Sequence, residues 1–148
     1  MTDPAIPAPS DALDIGHLRT WIGRTERRTE RIDPWPARAL SATLGCEGAP
    51  PGEGDPLPPG WHWCHFLSAS PPAELGRDGH PRRGGFLPPV PLPRRMWAGG
   101  RLAFHGGLRI GEPAERVSEI ADVRRRDGRS GPLVFVTVRH TFLTTCRS

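Results

Sequence analysis

Leu92-Pro93-Arg94-Arg95-Met96-Trp97-Ala98-Gly99-Gly100-Arg101-Leu102-Ala103-Phe104 is the stretch on which the reading of this chain turns. It closes a long Pro/Gly-rich passage and opens the part of the sequence that reads as continuous sheet. Two arginines meet a tryptophan, a Gly-Gly pair removes the side chains, and an alternating apolar run follows. A strand with that composition lets another backbone or a ligand approach closely.

From Arg94 onward the pattern predicts strands over Arg95–Phe104, Gly107–Ile110, Glu115–Arg125 and Pro132–Leu143. Leu133 to Val138 is the most hydrophobic run, suited to a central strand. Asp127-Gly128 between the last two strands is a hairpin signal. Upstream, Pro71 to Pro93 and Gly48 to Gly60 carry too many prolines and glycines for helix or central strand. Long loops of this kind in a compact domain are functional or mobile. Between them Trp61 to Ala69, aromatic-rich and stopped by prolines, predicts a buried strand.

The first third predicts two helices. Leu13, Leu18, Trp21 and Ile22 recur at helical spacing between Asp11 as cap and Gly23 as stop. Asp33-Pro34-Trp35-Pro36 combines a capping Asp with Pro at the first helical position. Trp35, Ala39, Leu40, Thr43 and Leu44 then share one face, and Gly45 ends the pattern. Arg24 to Ile32, charged throughout, fits either an exposed strand or the frayed end of the first helix. Residues 1–10 read as a disordered leader, 11–143 as a single domain and 144–148 as a short tail. The fold class is α+β.

Composition narrows the function classes. At 148 residues the chain is one domain by length, and no apolar run approaches the roughly 20 residues of a membrane helix. Residues 1–10 lack both the basic start and the apolar core of a signal peptide, so a soluble cytoplasmic protein is the expectation. Every one of the 20 basic residues is arginine, and the net charge is +4. Nine arginines from Arg101 onward face five acids, which permits an anionic partner without demanding one. Glycine and proline, 18 and 19 residues, suggest a GC-rich coding bias. Cys46, Cys64 and Cys146 match neither a disulfide framework nor a zinc pattern.

The chemistry-bearing residues are scattered. On a strand, His62 and Cys64 would share one face and His65 the other, which bars a common metal and makes this an aromatic core strand. His17, His80, His105 and His140 have no acid at useful spacing, and no nucleophile elbow is present. Gly84-Gly85 and Gly99-Gly100 precede no helix and are not phosphate loops. Arg82-Arg83, Arg94-Arg95 and Arg124-Arg125-Arg126 could face phosphates, the last reading mainly as a solvated hairpin end. Arg95 beside Trp97 suits stacking on a flat ring such as adenine. An Arg/Trp nucleic-acid binder predicts steep salt dependence, but the interspersed acids argue against it.

The order of these elements, with DPWPARALSATLG, GDPLPPGWHWCHFL, LPRRMWAGGRL and the closing LVFVTVRHTF, resembles the N-terminal domain of MaoC-like, or FAS1-like, dehydratases. The likeness runs from about Leu13 to Phe142 and is narrowest toward hydroxyacyl-thioester dehydratase type 2 and mesaconyl-C4-CoA hydratase. It implies a hotdog fold, a curved antiparallel sheet wrapped around a helix. It also implies a hydro-lyase setting: hydration of enoyl thioesters, or the reverse, in fatty acid metabolism, without a cofactor. In that family an Asp/His pair in a motif close to G-D-x-N-P-x-H activates the water, and it belongs to a second hotdog. Here Asp55 and His62 stand seven positions apart without the Asn, so no catalytic residue is assigned. The resemblance implies an accessory hotdog that needs a second hotdog, as a domain or subunit, with an acyl-CoA or acyl-carrier-protein thioester as ligand. Arg94, Arg95, Trp97 and Gly99 become candidates for lining the thioester groove. The ending at Arg147-Ser148 fits a natural subunit or, preferred slightly, a truncated or split gene. An acyl-CoA-binding or thioesterase-like hotdog homodimer is the alternative, with Asp33 at the helix start.

Overall fold

The computed structural model describes residues 13–76, 78–129 and 131–144. Their order is helix α1 (Ile15–Arg19), strand β1 (Thr25–Arg31), helix α2 (Pro34–Leu44), 3-10 turns at Trp61–Cys64 and Pro72–Glu74, then strands β2 (Pro113–Gly128) and β3 (Gly131–Thr144). The strands form one antiparallel sheet in the order β1-β2-β3. With α2 they make up the α+β hotdog fold, a curled sheet and a helix. The proposed leader, Asp11 as a cap and most of the tail lie outside the described residues.

The punctuation residues behave as their chemistry requires. Asp14 caps α1 by accepting the His17 amide at 2.9 Å. Asp33 caps α2 through the Trp35 amide at 2.7 Å, with Pro34 at the first helical position. Gly45 ends α2 in the left-handed conformation, φ 64°, which an L side chain adopts only with strain. The segment 24–32, left open by sequence, is resolved as a strand.

Two expectations for the helices and turns fail. The α2 face expected to be buried is largely solvent-facing: Trp35 is 72% exposed and Leu44 61%, while Ala37 and Ser41 are the buried positions. Hydrophobicity pointed to the large residues, but the fold covers the face that carries Ala37 and Ser41. Trp61 to Ala69 is not a strand either. It opens as a 3-10 turn that follows Gly60 at φ 89°, and no ladder partner runs beside it.

Arg95–Phe104 and Gly107–Ile110 are likewise not strands; from this region only Arg109 makes an isolated bridge, to Pro56. Met96, Trp97, Leu102 and Phe104 are exposed. β-propensity without a paired neighbour leaves the backbone irregular. The hairpin is present, but β2 continues through Asp127 and Gly128 and β3 begins at Gly131.

Between β2 and β3, Ser118 meets His140 and Glu119 meets Arg139. The buried positions of β2 are Ala114, Ser118, Ile120 and Val123.

The chain divides into two compact units. Among the described residues the first comprises 13–26, 70–98 and 119–139, with a core of Leu13, Leu18, Ile120 and Val123 joined by Trp21, Phe86, Val134 and Val136. Its Pro-rich segment is pinned by arginine: Arg83 Nη1 donates to the carbonyls of Val90 and Leu92, and Trp21 Nε1 donates to the Gly85 carbonyl at 3.1 Å. The second comprises 27–69, 99–118 and 140–144, with a core of Ile32, Ala37, Leu57, Phe66, Ile110 and Ala114.

Candidate functional site

β1 looks unsuited to a core, being Thr-Glu-Arg-Arg-Thr-Glu-Arg, yet its inward side chains have a specific task. The segment 65–67 has no ladder partner, so its backbone groups need side chains. Glu30 Oε1 accepts the Phe66 amide at 2.8 Å, and Arg28 Nη1 donates to the Leu67 carbonyl at 2.5 Å. From β2, Arg116 Nη1 donates to the Phe66 carbonyl at 3.0 Å. Phe66, 2% exposed, is thereby held at φ 55°. A left-handed bulky residue is rare and persists where its surroundings over-determine it, as often happens at functional sites.

The same Glu30 oxygen lies 3.4 Å from His65 Nδ1. The His65 side chain is 2% exposed, and its Nε2 is buried without a hydrogen-bond partner among the described residues. A carboxylate facing Nδ1 favours the proton there, leaving Nε2 as a bare acceptor. An unmatched buried acceptor costs on the order of 1–3 kcal/mol. Burial lowers the His65 pKa, with Glu30 and Asp33 opposing the shift. A hollow of about 280 Å3 opens here, and its lining includes Glu30, Arg31, Asp33, Pro36, Cys64 and His65.

His62 sits one 3-10 turn earlier. In that helix, positions i and i+3 superpose, so His62 and His65 both point inward, at 8% and 5% exposure. The strand reading, which put them on opposite faces, is corrected. The His62 ring packs against Phe142 at 4.6 Å and near Phe104 at 6.1 Å. Burial lowers its pKa, reinforced by His140 and His65. His140 Nδ1 is 2.8 Å from Ser118 Oγ. Partners invisible in sequence are thus supplied from far along the chain: Glu30 for His65, Ser118 for His140. The only signal of this group was the density of aromatics and histidines in WHWCHF.

The expected groove residues are placed differently. Arg95 Nη2 donates to the Pro81 carbonyl at 3.1 Å and lies 3.4 Å from Asp78, which also pairs with Arg83 at 3.2 Å. Burial alone would raise the Asp78 pKa, but the His80 amide, Arg83 and Arg95 together lower it. Arg94 is exposed and Trp97 is 75% exposed, in the first unit, while Gly99 falls in the second. Asp55 accepts the Gly52 amide at 2.9 Å and is not joined to the His62 group. Arg124 and Arg126 flank Phe135 and Thr137 on the outer face of the hairpin, Arg124 paired with Asp122.

Cys46 and Cys64 are free thiols; Cys146 lies outside the described residues. Among the described residues no three His, Cys, Asp or Glu are arranged to hold a metal ion, and no helix is long and apolar enough to cross a membrane.

The family model described as hydroxyacyl-thioester dehydratase type 2 matches residues 60–148, which include the His62/His65 turn, β2 and β3. The chain belongs to that family. Within the hydroxyacyl-thioester dehydratase type 2 family, it is similar to mesaconyl-C(4)-CoA hydratase of Chloroflexus aurantiacus, with 52% identity over 118 residues. That match covers 80% of this chain and 42% of the relative. The chain therefore spans less than half the length of the curated relative it matches.

Proposed function

We propose that this chain is the accessory, non-catalytic hotdog of a cytoplasmic hydratase–dehydratase of fatty acid metabolism. Its ligand is an enoyl or hydroxyacyl thioester of CoA or acyl-carrier protein. Residues 11–143 form the hotdog, and a second hotdog supplies the water-activating Asp/His pair. The observation that carries this reading is 52% identity to a CoA-thioester hydratase of which only 42% is matched. Two features support it. Asp55 and His62 each have separate surroundings, an amide for one and aromatic rings for the other. Strand β3, at the end of the sheet order, presents exposed Leu133, Phe135 and Leu143, and such an edge favours pairing with another chain. Arg94, Arg95, Trp97 and Gly99 remain our candidates for thioester contacts.

The test is hydration of crotonyl-CoA or mesaconyl-CoA, followed spectrophotometrically. The chain alone is expected to give no turnover, and turnover is expected to appear when a MaoC-type hotdog with the Asp/His pair is added. Turnover by the chain alone overturns the accessory role. A second reading, thioester hydrolysis by a homodimer, draws on Asp33, which lines the hollow while capping α2. Release of free thiol from acyl-CoA would select it.

A further inference from the structure

Two stretches of the second unit present open backbone. Strand β3 ends the sheet order, so its outer edge has no neighbouring strand among the described residues. Residues 99–104 are exposed throughout, belong to no helix or strand, and make no backbone hydrogen bond among the described residues. Their pattern is nevertheless that of a strand, with Leu102 and Phe104 54% and 52% exposed. Both stretches meet one ring: Phe104 lies 6.1 Å and Phe142 4.6 Å from His62 between centroids. They make no backbone hydrogen bond to each other. Just beyond the segment, a Cβ added at Gly106 or Gly107 would meet nothing within 4 Å. No neighbour here accounts for these glycines, and they leave room for an approaching backbone.

We propose that the outer edge of β3 at 140–144 and the segment 99–104 together take up one extended strand from another polypeptide. The proposal stands on these two edges and does not depend on the thioester reading. Open N–H and C=O groups on both sides are matched by a single strand, which offers its own along both edges. The side chains set its composition. Leu102, Phe104 and Leu143, the last 46% exposed, favour apolar residues at alternate positions of the occupant. Neither 99–111 nor 140–148 contains an Asp or Glu, while Arg101, His105, Arg109 and His140 stand there. A strand with acidic residues at its ends therefore complements the two edges. Arg101 is its first contact, being exposed and without an acidic partner among the described residues.

The probe is a peptide of alternating valine and threonine with a glutamate at each end, about seven residues long. It is added to the 148-residue chain in solution. In a second form it is fused to the C-terminus through a Gly-Ser linker, which gives a millimolar effective concentration. Amide hydrogen exchange is read residue by residue by NMR. Exchange in both 101–104 and 140–144 is expected to slow at least about tenfold in the fused form. A proline at the centre of the peptide should abolish the effect. Lysine in place of the glutamates should weaken binding of the free peptide, and Arg101→Ala should narrow that difference. A fused peptide that protects neither segment, or only one, overturns the proposal. Protection of both segments in the chain alone also overturns it. If that protection grows with concentration, the occupant is a second copy; if it does not, 99–104 closes on β3 directly.

Discussion

In the unit built on Leu18, Ile120 and Val123 the fully buried core side chains are aliphatic, and Arg83 fastens a Pro-rich segment by its carbonyls. In the unit built on Phe66 and Ile110 the interior also encloses Ser41, His62, His65 and Ser118, all the buried polar side chains among the described residues. An apolar interior needs volume and little else. A polar interior needs partners at fixed distances, which this unit obtains from Glu30, Arg28 and Arg116 on two strands. Buried titratable groups carry an energetic cost and are therefore concentrated where they serve a site. The contrast is between an interior that needs only volume and one whose polar groups each need a partner.

The comparison can be broken most forcefully at Phe66. Phe66→Ala removes the largest fully buried side chain and the ring that meets Phe142. The expected loss is about 3–5 kcal/mol in denaturant unfolding. A loss below about 1 kcal/mol would mean that the second core is not packed around this ring.

Arg83→Ala tests the other unit. It removes donors to the Val90 and Leu92 carbonyls, with an expected cost of about 1–3 kcal/mol. Hydrogen exchange should rise in 78–95 and leave 62–66 unchanged, since the two regions belong to different units. Equal acceleration in both would erase the distinction.

The smallest effect is acid sensitivity. His62 and His65 have folded-state pKa values below the ordinary 6.5, so the unfolded chain binds their protons first as pH falls. Their contribution is complete above pH 6.5 and declines below it. The lowered pKa of Asp78 acts in the same direction in a lower window: its contribution is complete above the ordinary 3.8 and is lost as pH falls below it. Unfolding midpoints measured between pH 7.5 and 5 should therefore slope downward, and His62→Phe, which suits the surrounding rings, should flatten the slope. An unchanged slope in that variant would remove His62 from the acid response.

Local chemistry was legible wherever one residue and its immediate neighbours decide the outcome. Asp33-Pro34 and Gly45 set the ends of α2, because caps depend on a few adjacent φ/ψ angles, and the hydrophobic run Leu133 to Val138 is a strand, though it stands at the end of the sheet order and not at its centre as expected. The resemblance in LPRRMWAGGRL and LVFVTVRHTF gave the family. The sequence by itself thus determined the α+β class, the hairpin and the membership. Tertiary structure alone decided which α2 face is buried, that Trp61–Cys64 turns rather than extends, and that Arg95 is engaged by Asp78. It also decided that Glu30 meets His65 across 35 positions. A strand exists only when another strand pairs with it, and a histidine acquires a role only from the group facing it. Both depend on contacts between residues far apart in the chain.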